Sequence, residues 1–297
     1  KAAICTCRLR SRGHSGRILR MNETMSRDHR ISVVHFTAPT CWWSWGYEPV
    51  FNRLKLVYGD QINLVTAYGT VYEDVEEYKK DYELDDAGMV KWAREAREIM
   101  GVPMHVDYRF DHMPKNLLPA TLAVMAGMRQ SQEKGYRLYR ALLRRNIVQG
   151  QDVTDEKEIL EAVREAELDE ARFKRDWADQ ASLKADLEKQ GDRAPPVHVG
   201  FYNVAVTDED GRTVYLDQKF EPSVVESAID YLTDGKLKKA KPTDVLAYLK
   251  EHGPTALIEV ERVFNLTSKK AHAELERLEK LGKARRSTLA GVAFWSA

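Results

Sequence analysis

The feature that most constrains this chain is a β–α–β run near its start, with a cysteine where the first strand gives way to the helix. Ile31-Ser-Val-Val-His-Phe36 alternates and is rich in β-branched residues, which reads as a strand. Thr37-Ala-Pro-Thr40 breaks it. From Tyr47 to Tyr58, Val50, Leu54 and Val57 fall at helical spacing, with Pro49 in the first turn, where its missing N–H is tolerated. Ile62 to Tyr68 is a second strand. Strand, helix, strand is the opening of an α/β sheet. Between the first strand and the helix lies Pro39-Thr-Cys-Trp-Trp-Ser-Trp-Gly-Tyr-Glu-Pro49. A helix N-terminus has unpaired N–H groups and a dipole that favours anions. A thiolate there is stabilised, and the thiolate is the reactive form of cysteine. Cys41 is therefore placed for nucleophilic sulfur chemistry.

The pattern then turns helical from about residue 85 to 191. Helices are expected at Met89–Met100, Pro119–Met128, Ser131–Arg145, Asp155–Ala166, Asp169–Trp177 and Leu183–Gln190. After the break Gly191-Asp-Arg-Ala-Pro-Pro196, a hairpin is expected from Val197–Val206 and Arg212–Leu216, turning at Asp208–Gly211. A helix from Ser223 to Leu232 closes this part. Past a polar, basic linker, Thr243–His252, Ala256–Phe264 and Ser268–Leu281 read as three short helices, and Thr288–Trp295 as a strand pair. Three helices and a β-wing make a winged-helix pattern. The expected organisation is a basic, disordered tail over 1–28, a sheet domain over 29–235 with its helical insertion at about 85–191, and a small domain over 242–297.

Composition narrows the classes. Lys plus Arg and Asp plus Glu balance at 46 each, so net charge gives no argument for a nucleic-acid partner. No apolar run reaches the roughly 20 residues of a transmembrane helix. Three cysteines, Cys5, Cys7 and Cys41, are too few for a disulfide framework. A cytoplasmic protein without metal or cofactor is expected. Cys5 and Cys7 have no second pair to make a metal site. His105, Asp107, Asp111 and His112 are interleaved with Tyr, Arg and Phe and read as an ordinary polar loop.

Cys41-Trp42-Trp43-Ser44-Trp45-Gly46 followed by Pro49, ahead of an amphipathic helix, resembles the active-site region of disulfide-oxidoreductase-A-like proteins. The resemblance covers about residues 31–232 and implies a thioredoxin-like α/β sheet with a helical insertion. It also implies that Leu118-Pro119-Ala120 begins a helix beside the site, and that a cis-proline loop lies opposite the cysteine. Pro196, or else Pro195, stands in that place. The departure is Ser44, which replaces the family's second cysteine and cannot form the resolving disulfide. The resemblance then implies a thiol–disulfide oxidoreductase or isomerase working through one cysteine. Cys41 would be the nucleophile and Ser44 a hydrogen-bond donor to it. Trp42, Trp43, Pro195 and Pro196 would bind a protein or small thiol or disulfide substrate. A serine in this place is also used by glutathione-dependent relatives.

The alternative is a catalytically silent adaptor, or a redox-sensing regulator, that binds protein or DNA through its C-terminal module. Three tryptophans in four positions cannot all face the core of a tight turn, so at least one is expected to pack inside and one to be exposed as an apolar docking surface beside Cys41. His35 is expected on a strand face and His198 beside the proline loop, and His35 or Glu48 would be near enough to tune Cys41. In the C-terminal module Lys269, Lys270, His272 and Arg277 share a helix with Glu274, Glu276 and Glu279. That mixture supports protein docking at least as well as DNA binding.

Overall fold

A computed structural model describes residues 31–106, 114–191 and 203–297. The basic tail, Cys5 and Cys7, Asp107, Asp111 and His112, and the expected proline loop with Pro195, Pro196 and His198 lie outside the described residues.

The first sheet has the order β2-β1-β3-β4, made of β1 (Ile31–Thr37), β2 (Asn63–Tyr68), β3 (Asn203–Asp208) and β4 (Thr213–Asp217). β1 runs parallel to β2, with Val33 opposite Leu64, and antiparallel to β3, with Val33 opposite Val206. β3 and β4 form the hairpin, with Val206 opposite Val214. A central strand must bury both faces, and six of the seven β1 residues are buried. The β–α–β half and the ββα half thus meet on β1, which is the thioredoxin-like arrangement.

Helix α1 spans Trp42–Tyr58 and begins five residues before the periodicity predicts. Pro49 therefore lies inside the helix, where it removes the N–H that would bond the Trp45 carbonyl. The apolar pattern alone starts at Tyr47, whereas tertiary burial of the tryptophans extends the helix to Trp42. A short helix α2 (Val75–Asp81) has no counterpart in the sequence reading. It is about two turns of mostly charged residues, capped by Asp74, whose carboxylate accepts the Glu76 N–H at 2.8 Å. The insertion then follows as α3 (Asp86–Met100), α4 (Leu118–Met128), α5 (Gln132–Ile147), α6 (Glu156–Glu165), α7 (Glu170–Ala178) and α8 (Gln180–Gly191). Asp85, Ser131, Asp155 and Asp169 cap four of these helices through their side chains, which is why the sequence marks those starts so well. α9 (Pro222–Thr233) closes the domain.

The C-terminal unit runs α10 (Val245–His252), β5 (Thr255–Ala256), α11 (Leu257–Phe264), α12 (Ser268–Lys280), β6 (Arg285–Leu289) and β7 (Val292–Ser296). Its sheet has the order β5-β7-β6 and is antiparallel. The two-residue β5 was not foreseen, because two residues carry no periodicity. The unit has a small core of its own around Val260, Leu275, Leu278 and Trp295. It is also docked on the larger domain. Ala256 and Phe294 belong to the large domain's core cluster, and Ile258, Leu289 and Val292 pack against it. Two of these, Leu289 and Val292, flank the turn between β6 and β7, so this hairpin lies against the body of the protein. No described helix is long and apolar enough to cross a membrane.

Candidate functional site

Cys41 stands at the N-cap of α1 with extended backbone (φ −92°, ψ 119°), and its side chain does not cap the helix. Its N–H donates to the Ala38 carbonyl at 3.2 Å, which closes a tight turn out of β1. Ser44 is the third residue of the helix, in its first turn, and is fully buried. Its hydroxyl oxygen accepts the Ala38 N–H at 3.3 Å, so the residue that replaces a resolving cysteine ties the same turn together. Cys41 is in no disulfide among the described residues and is itself buried, at 5% exposure.

All three tryptophans are buried, which corrects the expectation of an exposed docking ring beside Cys41. The tight-turn premise fails because residues 42–46 are already helical. Successive side chains step around the axis by about 100° and meet protein on several sides. Trp43 stacks on Phe220, with ring centroids 5.7 Å apart and planes 9° apart. Trp45 donates its indole N–H to the Pro103 carbonyl at 3.0 Å, and the Arg140 guanidinium lies 5.5 Å from its ring. Gly46 is where the helix passes closest to its neighbours: a Cβ there would lie 2.5 Å from Met100 Sδ and 2.9 Å from Phe220.

His35 is a buried strand-face residue, as the alternation predicts. It stacks on Phe51 at 4.3 Å, and burial pushes its pKa down to about 3, so it is neutral. Glu48 faces a different set of groups from those proposed for it. Burial raises its pKa and the nearby Arg140 opposes that rise. The Arg140 guanidinium spans three parts of the molecule. Nη1 donates to Glu48 at 3.2 Å, Nη2 to Glu259 at 2.5 Å, and Nε to the His252 carbonyl at 2.9 Å. The three charged side chains are at most 5% exposed. Glu259 uses its other oxygen to accept the Ala256 N–H at 2.8 Å, which caps α11. The Tyr136 hydroxyl lies 2.8 Å from Glu48 and 3.0 Å from Asn52 Oδ1, with one proton to give between them. Asn52 in turn donates to the Tyr248 hydroxyl at 3.0 Å.

This buried network was missed by sequence reasoning, although a signal was present. Glu48 and Asn52, Tyr136 and Arg140, and Tyr248 and His252 are each polar pairs at i,i+4, hence on one helix face. α1, α5 and α10 each turn such a pair into the same joint, and α11 adds Glu259. Around it, Arg53 donates to the Val263 carbonyl at 3.0 Å and Arg262 to the Met100 carbonyl at 2.7 Å. The linker is fixed as well, with the Ala240 N–H on the Val57 carbonyl at 2.8 Å.

With this geometry in place, likeness to known proteins is informative. Residues 35–192 match the family described as Thioredoxin. The chain is 24% identical to the ClpXP adapter protein SpxH of Halalkalibacterium halodurans over 84% of this chain and 82% of that protein. It is 22% identical to the ClpXP adapter protein SpxH of Bacillus subtilis over 89% of this chain and 88% of that one. Among solved structures, the cytosolic disulfide reductase DsbM of Pseudomonas aeruginosa superposes with a TM-score of 0.52 at 20% identity, covering 68% of this chain and 98% of that one. The last likeness concerns the fold alone. It covers a smaller share of this chain than the SpxH likeness, which spans 84% and 89% of it.

Proposed function

This chain belongs to the thioredoxin family, and from that premise we propose that it is a protein adaptor which has kept the fold and given up self-sufficient dithiol chemistry. The observation that carries the reading is Ser44, buried, with its hydroxyl accepting the Ala38 N–H, in the place of the resolving thiol. A dithiol cycle needs a second sulfur to release the mixed disulfide. Here that position serves to hold a turn, and the tryptophans around Cys41 are core. The two relatives named as ClpXP adapters support a role in bringing a protein partner to ClpXP. The C-terminal order helix–strand–helix–helix–strand–strand supports a winged-helix identity for that unit, with α12 in the place of the recognition helix.

A second reading keeps Cys41 as a monothiol nucleophile, with Ser44 beside it and Trp42, Trp43, Pro195 and Pro196 forming the substrate surface. It is favoured by the N-cap position of Cys41, where a thiolate meets the helix dipole.

One experiment separates the two. Purified ClpXP is supplied with proteins that co-purify with the full chain, and their degradation is followed with the wild-type protein and with Cys41→Ala. The same two proteins are assayed for disulfide turnover with glutathione. The adaptor reading expects both proteins to speed degradation equally and neither to turn over disulfides. Cys41-dependent turnover without any effect on degradation overturns it in favour of the monothiol.

A further inference from the structure

We infer that the seam between the two units is a docking groove for an acidic, amphipathic segment of a partner protein; this rests on the adaptor reading and names the site. A groove of about 510 Å³ lies where the loop Gly101–Pro103 faces the C-terminal unit. Its apolar lining includes Val102, Pro103, Leu257, Ile258, Val292 and Trp295. Arg286 and His272 also line it, against a single carboxylate, Glu261. The Arg286 guanidinium lies 5.5 Å from the Trp295 ring, on β6.

Charge selects the occupant. From the start of α12 to the end of β6, Lys269, Lys270, Lys280, Lys283 and Arg285 are exposed and pair with no carboxylate among the described residues. Of the acids of the same helix, Glu274 pairs with Arg277, whereas Glu276 lies 3.6 Å from the His272 ring and Glu279 accepts the Trp295 indole N–H, which leaves both carboxylates charged. A chain with no net charge thus carries a basic excess on this segment, seven Lys and Arg against three Glu over 268–289, and His272 and Arg286 of the same segment line the apolar groove. Carboxylates flanking leucine-like side chains complement both features. Duplex DNA fits less well, because the wing that would follow a phosphate backbone is packed into the body through Leu289 and Val292.

The walls of the groove come from both units, so it exists only while they are joined. The Pro103 carbonyl is held by the Trp45 indole and the Met100 carbonyl by Arg262. A tryptophan of the former redox motif therefore supports one wall.

The test uses the full chain and a fluorescein-labelled helical peptide of leucine and glutamate in amphipathic register, followed by anisotropy. Binding should weaken with salt. It should fall by about tenfold or more in the exposed-face variants Arg286→Glu and His272→Glu, with thermal melts confirming that both fold. The version with lysine for glutamate should not bind. Equal binding of the lysine peptide, or unchanged binding by both variants, overturns the assignment. So does a DNA duplex that binds more tightly than the peptide and is lost in the same variants. The degradation assay keeps the two ideas apart. If both variants still speed degradation as the wild type does, the groove fails and the adaptor stands. If the wild type has no effect on degradation while the peptide result holds, the adaptor fails and the groove stands.

Discussion

The two ends of α1 were put to opposite uses. At its N-terminus, Cys41, Trp42, Trp43 and Trp45 occupy a position that family resemblance marks as reactive, and they are packed into an apolar core. Two turns later, Glu48 and Asn52 occupy a stretch that resemblance leaves unremarked, and they enter a buried polar joint with α5, α10 and α11. The end that resemblance marks for chemistry is packed into the core, while the end it leaves unremarked is where the units are united. What separates them is the kind of interaction. Apolar burial at the first end is non-directional and tolerant, whereas the joint depends on three charges arriving together.

The largest effect should follow from Arg140→Met. It leaves Glu48 and Glu259 buried without their cation, and breaking a buried charge set in this way costs about 3–5 kcal/mol. Urea denaturation should show the loss at neutral pH. The loss should shrink as pH falls into the carboxylate range, because Glu48, whose pKa burial raises, can then protonate. A loss of equal size at acid and neutral pH would mean that Arg140 acts by packing alone. Replacing all three by neutral residues (Glu48→Gln, Arg140→Met, Glu259→Gln) should recover much of the stability.

Next in size is Gly46→Ala at the other end of α1. The added methyl meets Met100 and Phe220 inside normal contact distance. The methionine can yield and the ring cannot, so about 1–3 kcal/mol should be lost. A neutral result would show that the motif is packed less tightly than the joint.

The ease of reading these regions from sequence follows the same division. The β–α–β corner, the hairpin and most insertion helices were legible because local rules specify them: β-branched alternation at Ile31–Phe36, and side-chain caps at Asp85, Ser131, Asp155 and Asp169. The start of α1 was misplaced because burial of Trp42–Trp45 is a tertiary fact that no periodicity states. The joint was invisible for a deeper reason. Arg140 lies 92 residues from Glu48 and 119 from Glu259, so each alone reads as an ordinary surface charge. Glu48 was read as a neighbour of Cys41 because proximity in sequence was the only proximity on offer.

A pH effect should come third, and both ends contribute to it. Burial lowers His35 near the motif to about 3, and burial with the Arg140 charge lowers His252 in the joint to about 3. Both are neutral in the folded protein, whereas the unfolded chain protonates them near 6.5. The unfolded state thus binds more protons between pH 6.5 and 3, and stability should fall as pH falls through that window. His35→Phe should flatten the slope in part, since Phe51 can stack on the new ring. An unchanged slope in that variant would place the titration entirely in the joint.

The smallest effect should come from a contact that also links the units. Lys55 on α1 meets Glu251 on α10 at 2.6 Å, with side chains 61% and 41% exposed. It is shorter than the Arg140–Glu48 bond, yet solvent screens it and ordering two long side chains offsets its attraction, so Lys55→Ala should change stability by less than about 1 kcal/mol. The change should vanish in high salt, where the Arg140→Met loss persists. If Lys55→Ala instead approached the Arg140 variant in size, the joint would be held by exposed charge across its rim. The groove between the units would then open with ionic strength, and peptide binding and unit docking would share one salt dependence. Separate salt dependences for the two would locate the lock at Arg140.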